Sequence, residues 1–331
     1  MMKKAAIIIL FLMPFMGLCQ QKKILFLGNS FVGYNNLPGM LYNLALSNGD
    51  TLVEDVFWNG SYDLKLHYQN PLARLKIKEN NWDYVVLEED GDEASMNSAY
   101  VDTTSYPYIF LLDSAIKANN PCTKTLLYLV WGRKYGYSGI CPFDTAVCTY
   151  RGMQQRITDL NLAFRDNISA MVSPVGVAWQ NCIAADSTLN LYAADNLHQN
   201  DAGQYLGACV FYSSIFGTST VGFSYHATLT SPVAAFIQNI SSHTVLDSLA
   251  RWNIGVFDPH AGFTDVVNLL DVQFNNTSTN ASTYLWDFGD GNTDITQNPL
   301  HSYTASGTYT VTLTVYSACS SNAIIQTVIV N

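Results

Sequence analysis

Between residues 22 and 252, short unbroken apolar runs alternate with longer stretches whose apolar residues fall three or four apart. The runs at 24–27, 52–57, 84–87, 125–130 and 170–177 read as strands buried on both faces, because a strand with one wet face would alternate apolar with polar. The stretches at 37–46, 64–78, 109–118, 153–168 and 202–215 read as helices. Such alternation leaves few folds open and predicts an α/β domain: a three-layer α/β/α sandwich around a parallel sheet. Sheets of this kind bind their ligands beyond the carboxyl ends of the strands, so chemistry is sought there.

From about residue 257 the texture changes. Asn, Thr and Ser dominate, and Tyr309, Val311, Leu313 and Val315 interleave with Thr310, Thr312 and Thr314. That period of two predicts strands with one buried and one wet face, in a small C-terminal all-β, Ig-like sandwich. The stretch 248–259 is the junction, which divides the chain into 21–255 and 256–331.

The first twenty residues belong to neither texture. Lys3 and Lys4 precede 14 nearly unbroken apolar residues, 5–18. That run is too short for a hydrocarbon core of ~30 Å, so residues 1–20 read as a signal peptide cleaved near Cys19 or Gln20. The alternative is a lipoprotein with Cys19 as its lipidated first residue, against which Leu18 stands, since such sites want a small residue there. The expected destination is outside the cytoplasm: secreted, cell-surface or periplasmic. No later segment reaches ~18 consecutive apolar residues, so no integral membrane segment is expected in the mature chain.

Composition narrows the partners. Charged residues make up 13% of the chain, with 16 Lys+Arg against 26 Asp+Glu and a net charge of −10. Without clustered basic residues, nucleic acid is not an expected partner. The 48% hydrophobic content rules out a disordered chain. Beyond Cys19 there are six cysteines, an even number that permits disulfides in an exported protein. The favoured pair is Cys141–Cys148, while Cys209 lies in a helical apolar pattern and reads as a small buried residue. No Cys-x-x-Cys or His-Glu-x-x-His spacing occurs, so no metal site is expected.

Two signals carry chemistry. Gly28-Asn29-Ser30-Phe31 follows the first strand and puts Ser30 at the mouth of the sheet, either as a nucleophile or as a helix cap. It is not the Gly-x-Ser-x-Gly elbow, because Val32 occupies the second glycine's place. Asp195-Asn196-Leu197-His198 precedes the last of these helical stretches. An Asp three residues before a His can orient that ring from the same loop, as a serine nucleophile's base requires; the alternative is an ordinary polar turn.

Together these blocks resemble the SGNH (GDSL-like) hydrolases, esterases with a flavodoxin-like fold. The resemblance spans about 22–216 and includes Asn35-Asn36-Leu37-Pro38 and Trp131-Gly132-Arg133. It implies Ser30 as nucleophile, His198 as base and Asp195 as the base's partner. The family's second block matches Asn59-Gly60, with the Gly60 N–H as an oxyanion donor beside that of Ser30; Asn-Gly is also a plain turn dipeptide. The third block departs. Where the family usually has an Asn side chain, this chain has Glu88-Glu89-Asp90-Gly91-Asp92-Glu93. Ionised carboxylates cannot donate to an oxyanion, so this run either contacts substrate hydroxyls or a cation, or is a solvated loop with one carboxylate paired to Arg133. Asn29, Asn59, Glu88, Trp131 and Arg133 are the substrate-contact candidates. His67 reads as a surface or packing residue.

The tail resembles PKD (polycystic kidney disease) domains through Trp286-Asp287-Phe288-Gly289-Asp290-Gly291, Asn298-Pro299, His301-Ser302-Tyr303 and Gly307-Thr308-Tyr309. Such extracellular modules act as spacers or weak binders. The expected whole is a secreted serine esterase that needs no cofactor and acts on short acyl esters of small molecules or polysaccharides. Its rivals are an inactive carbohydrate-binding or adhesion protein of the same fold, and a lipase for longer chains.

Overall fold

A computed structural model describes residues 21–331. The expected signal peptide at 1–20, with Cys19, lies outside the described residues. Five strands, β1 (Gln21–Gly28), β2 (Thr51–Trp58), β3 (Tyr84–Leu87), β4 (Lys124–Tyr128) and β5 (Met171–Ser173), form one sheet in the order β2-β1-β3-β4-β5. Every pairing is parallel. Residues 24–27 of β1 are fully buried, as a strand covered on both faces must be.

The helices sort into two layers. Leu37–Ser47, Val175–Ala185, Asp201–Phe216 and Ser231–Leu246 pack with one another, and Tyr106–Asn119 packs with Leu64–Gln69, Pro71–Lys78 and Tyr150–Ile168. Helix Asp201–Phe216 is buried all round from Ala202 to Ile215, which explains why its apolar pattern shows no polar face.

Two elements differ from expectation. The run 170–177 is a strand only at Met171–Ser173; Pro174 then opens the helix Val175–Ala185. The stretch 64–78 is two helices, because Asn70 is extended before Pro71 and caps the second through its side chain.

The C-terminal part is a sandwich of antiparallel sheets. Phe263–Asn268, Asp271–Asn276 and Leu300–Ser302 form one; Thr283–Asp287, Thr293–Asp294, Gly307–Tyr316 and Ser321–Val330 form the other. Its core, built on Phe274, Trp286, Phe288 and Leu313, is separate from the core of the first part. Asp290 and Gly291 lie in the connection between Thr283–Asp287 and Thr293–Asp294, where Gly289 and Gly291 are both at positive φ.

Cys141–Cys148 is bridged as expected, and Cys182 and Cys209 are free and buried. The second bridge, Cys122–Cys319, joins the two parts, and Lys124 pairs with Asp258 beside it at 2.7 Å. Cys122 and Lys124 lie at the amino end of β4, so the sandwich docks at the edge of the sheet opposite the strands' carboxyl ends.

Candidate active site

Strand order places β1 between β2 and β3, and the chain leaves β1 for one neighbour and later returns to the other. That reversal opens a crevice at the carboxyl end of β1, where open α/β sheets bind ligands. Ser30 stands there, as the first residue of the short helix Ser30–Gly33. Asn29 caps that helix, its Oδ1 accepting from the Phe31 N–H at 3.0 Å. A Cβ at Gly28 would lie 2.4 Å from Glu88 Oε2 and 2.5 Å from Val32, so only glycine lets the chain turn this tightly.

The loop 193–200 brings the other two residues in. Asp195 Oδ1 accepts from the backbone N–H groups of Leu197 and His198, both at 3.0 Å, with Asn196 in the left-handed region. This turn folds the imidazole back onto the same carboxylate, with His198 Nδ1 2.5 Å from Asp195 Oδ2. His198 Nε2 reaches Ser30 Oγ at 2.8 Å. Burial raises the Asp195 pKa, but hydrogen bonds from His198 and the two backbone N–H groups outweigh it, and the net direction is down. Asp195 is therefore a carboxylate, Nδ1 carries a proton, and Nε2 is free to accept one from Ser30.

The loop is tied to the rest of the crevice. Trp131 Nε1 donates to the Leu197 carbonyl at 2.9 Å, and the Lys134 N–H to that of Asn196 at 3.0 Å. Gln199, fully buried, donates from Nε2 to the carbonyls of Phe31 and Tyr34. It clamps the serine helix to the histidine loop. Sequence reasoning missed it; its place next to His198 was the only signal.

Other candidates fall differently. Register sets Gly28 beside Trp58, so Asn29–Ser30 and Asn59–Gly60 leave the sheet side by side. Asn59 and Gly60 are exposed, and a Cβ on Gly60 would meet nothing within 4 Å. Asn29 is buried, its Nδ2 donating to the Tyr62 carbonyl at 3.2 Å, so it shapes the turn rather than facing a ligand. Glu88 and Trp131 are corrected. Glu88 is fully buried and accepts the Asn29 N–H at 2.8 Å. Trp131 is 1% exposed and stacks on Trp179 at 4.1 Å, so neither can touch a substrate.

The acidic run is likewise not a solvated loop. Burial first, then the like charges of Asp90 and Glu89, push Glu88 well above the usual carboxylate range. Burial pushes Glu89 to about 8 and Asp90 to about 6. The partner of Arg133 is Asp92, gripped through Nε at 2.7 Å and Nη2 at 2.5 Å. His67 is buried, its Nε2–H donating to the Gly28 carbonyl at 3.1 Å, and burial lowers its pKa to about 4. Among the described residues no group of three or more His, Cys, Asp or Glu side chains is arranged to hold a metal ion. No helix among them is long and apolar enough to cross a membrane.

Residues 261–330 match the PKD domain family. The chain is 34% identical over 85 residues to collagenase ColA of Bacillus cereus, covering 24% of this chain and 9% of that protein. It is 48% identical over 61 residues to the pre-pro-metalloprotease PrtV of Vibrio cholerae, covering 17% of this chain and 7% of that one. It thus spans less than a tenth of the length of these curated relatives. Among solved structures, a DUF4886 family protein from Bacteroides uniformis is similar with TM-score 0.59 at 16% identity, over 68% of this chain and 95% of that one. A candidate SGNH hydrolase from Slackia heliotrinireducens follows at TM-score 0.48 and 23% identity, over 58% of this chain and 98% of that one. At these identities the likeness is one of fold. The molecule carries a three-layer α/β domain. Its C-terminal part is a PKD domain.

Proposed function

We propose that the protein is an exported serine esterase for short acyl esters, acetyl groups on carbohydrate in particular. The reading rests on one observation: Ser30 Oγ, His198 Nε2 and Asp195 Oδ2 form a continuous chain of 2.8 Å and 2.5 Å contacts at the crevice of the sheet. Ser30 Oγ attacks the ester carbonyl and passes its proton to His198 Nε2. Asp195 holds the imidazole's orientation and stabilises the imidazolium. The N–H of Ser30, which as a first helical residue has no intrahelical acceptor, and that of Gly60 are the donors assigned to the developing oxyanion. The adduct collapses as Nε2–H protonates the departing alkoxide. Water, deprotonated by the same nitrogen, then releases the acid from the acyl-serine. Among the structural neighbours is an acetyl xylan esterase (TM-score 0.43, 14% identity, 58% of this chain and 98% of that one), a likeness too remote to assign a substrate.

The test is release of p-nitrophenol from p-nitrophenyl acetate. Ser30→Ala and His198→Ala are each expected to lose at least about a thousandfold in kcat. Wild-type turnover no faster than that of both variants sinks the proposal. Faster turnover of the octanoate than of the acetate would shift the reading to a lipase.

A further inference from the structure

We propose that Tyr34 is a positioning residue whose ring stabilises the imidazolium that forms on His198 during the reaction. The inference rests on the serine-esterase reading above. As Ser30 Oγ bonds to the ester's carbonyl carbon, its proton passes to His198 Nε2. The carbonyl oxygen takes the negative charge and the imidazole the positive one. Asp195 meets that positive charge at Nδ1, 2.5 Å away, through a hydrogen bond in the plane of the ring. The faces of the imidazole need a different partner.

Two aromatic side chains border the imidazole, and they differ. Phe31 lies 5.7 Å from it, close to perpendicular, but it is buried and also packs on Trp131 at 4.7 Å, as a core residue does. Tyr34 lies 5.2 Å from it, centroid to centroid, with the two planes 35° apart. Rings lying side by side in one plane could not come so close, so part of one face turns toward the other. Tyr34 is 48% exposed, and among the described residues His198 is its only ring contact. The separation is inside the ~6 Å over which an aromatic face attracts a cation.

The backbone fixes where this ring can stand. The Tyr34 N–H donates to the Ser30 carbonyl at 2.8 Å, and the Tyr34 carbonyl accepts from Gln199 Nε2 at 2.7 Å. The Asn35 amide donates to the Gln199 carbonyl at 3.2 Å. Tyr34 is thus tied to the nucleophile's own residue and to the residue that follows the base. Its effect is selective for the transition state. Before proton transfer the imidazole carries no charge, and the quadrupole of the Tyr34 ring attracts it strongly only afterwards. Deacylation, in which Nε2 takes a proton from water, forms the same imidazolium. The attraction therefore acts on kcat whichever step limits, and not on KM.

The experiment is p-nitrophenyl acetate kinetics on the protein with Tyr34 replaced by Leu, by Phe, and by Phe carrying one, two or three ring fluorines. Fluorine leaves the shape of the ring nearly unchanged and drains its face of negative potential. Tyr34→Leu is expected to lower kcat about fivefold and Tyr34→Phe to keep it within about twofold, with KM held in both. Along the fluorinated series kcat should fall stepwise toward the value of the Leu variant. A flat series overturns the inference, because a ring that only fills space is indifferent to fluorine. So does a Phe variant as slow as the Leu variant, and so does a Leu variant with wild-type kcat or a loss confined to KM. Each of these results leaves the esterase standing. No hydrolysis by the wild type overturns the esterase reading itself, and the role of Tyr34 with it.

Discussion

Glu88 lies directly beneath the nucleophile's turn. It is fully buried, its Oε2 accepts the Asn29 N–H, and burial, with the two neighbouring acids, raises its pKa well above the usual carboxylate range. A neutral acceptor of that shape is what Gln supplies. Glu88→Gln should therefore retain far more turnover than Glu88→Ala, which orphans a buried N–H at a cost of about 1–3 kcal/mol and loosens Ser30. Equal loss in both variants, in thermal melts and aryl acetate kinetics, would mean that the residue works through charge. Glu89 makes a separate prediction about pH. Its carboxyl stays protonated in the folded state to about pH 8, against an ordinary value of 4.5. Between those values the unfolded chain has released a proton that the folded chain keeps, so stability falls as pH rises, by up to about 1.4 kcal/mol per unit. His67, lowered to about 4 from 6.5, acts in the opposite sense: its stability is lost as pH falls through that lower window. Above pH 6.5 only the carboxyl effect remains of the two. Melting temperature should drop from pH 6.5 to 8.5, and Glu89→Gln should flatten the drop. A wild-type profile that rises over this range would contradict the assignment.

The site is an assembly of two loops, and the residue that joins them is Gln199. Its amide bonds two carbonyls of the serine segment, so Gln199→Ala leaves both unpaired and frees the histidine loop to drift. A loss of about 2 kcal/mol in stability is expected, with kcat reduced more than KM is raised, because a shift of ~1 Å between nucleophile and base acts on the chemical step. A pure KM effect would count against the clamp. Much of this architecture was legible in the chain. Unbroken apolar runs gave β3 to the residue, β2 to within one residue at each end and the buried centre of β1, and the sequence context of Ser30, Asp195 and His198 gave their places. What was not legible has physical reasons. The apolar run at 170–177 looks alike as buried strand or buried helix, and only Pro174 marks the change. Glu88 and Glu89 read as substrate-facing or solvated because charge in a sequence says nothing of burial, and their raised pKa values depend on distant elements closing over them. Trp131 looked like a substrate contact because its stacking partner, Trp179, lies 48 residues on and a helix away.

At the scale of the whole molecule, the two hydrophobic cores are held together by a disulfide across 197 residues and by one ion pair about one-third exposed. The magnitudes decide which matters. An ion pair exposed to that degree contributes about 0–1 kcal/mol, whereas closing a loop of this length contributes about 2–5 kcal/mol. The bridge anchors the PKD domain at the amino end of β4, and Ser30 lies beyond the carboxyl end of β1, at the opposite edge of a parallel sheet. The PKD domain therefore forms no wall of the crevice, and a role in catalysis by contact is closed to it. Replacing both bridging residues, Cys122→Ser with Cys319→Ser, should separate the unfolding of the two cores in calorimetry. It should also expose the junction at 248–259 to limited proteolysis while aryl acetate turnover stays at the wild-type level. A fall in turnover alongside intact, separately melting cores would show that the domain reaches the crevice from across the sheet, and the division of labour argued from the fold would fail.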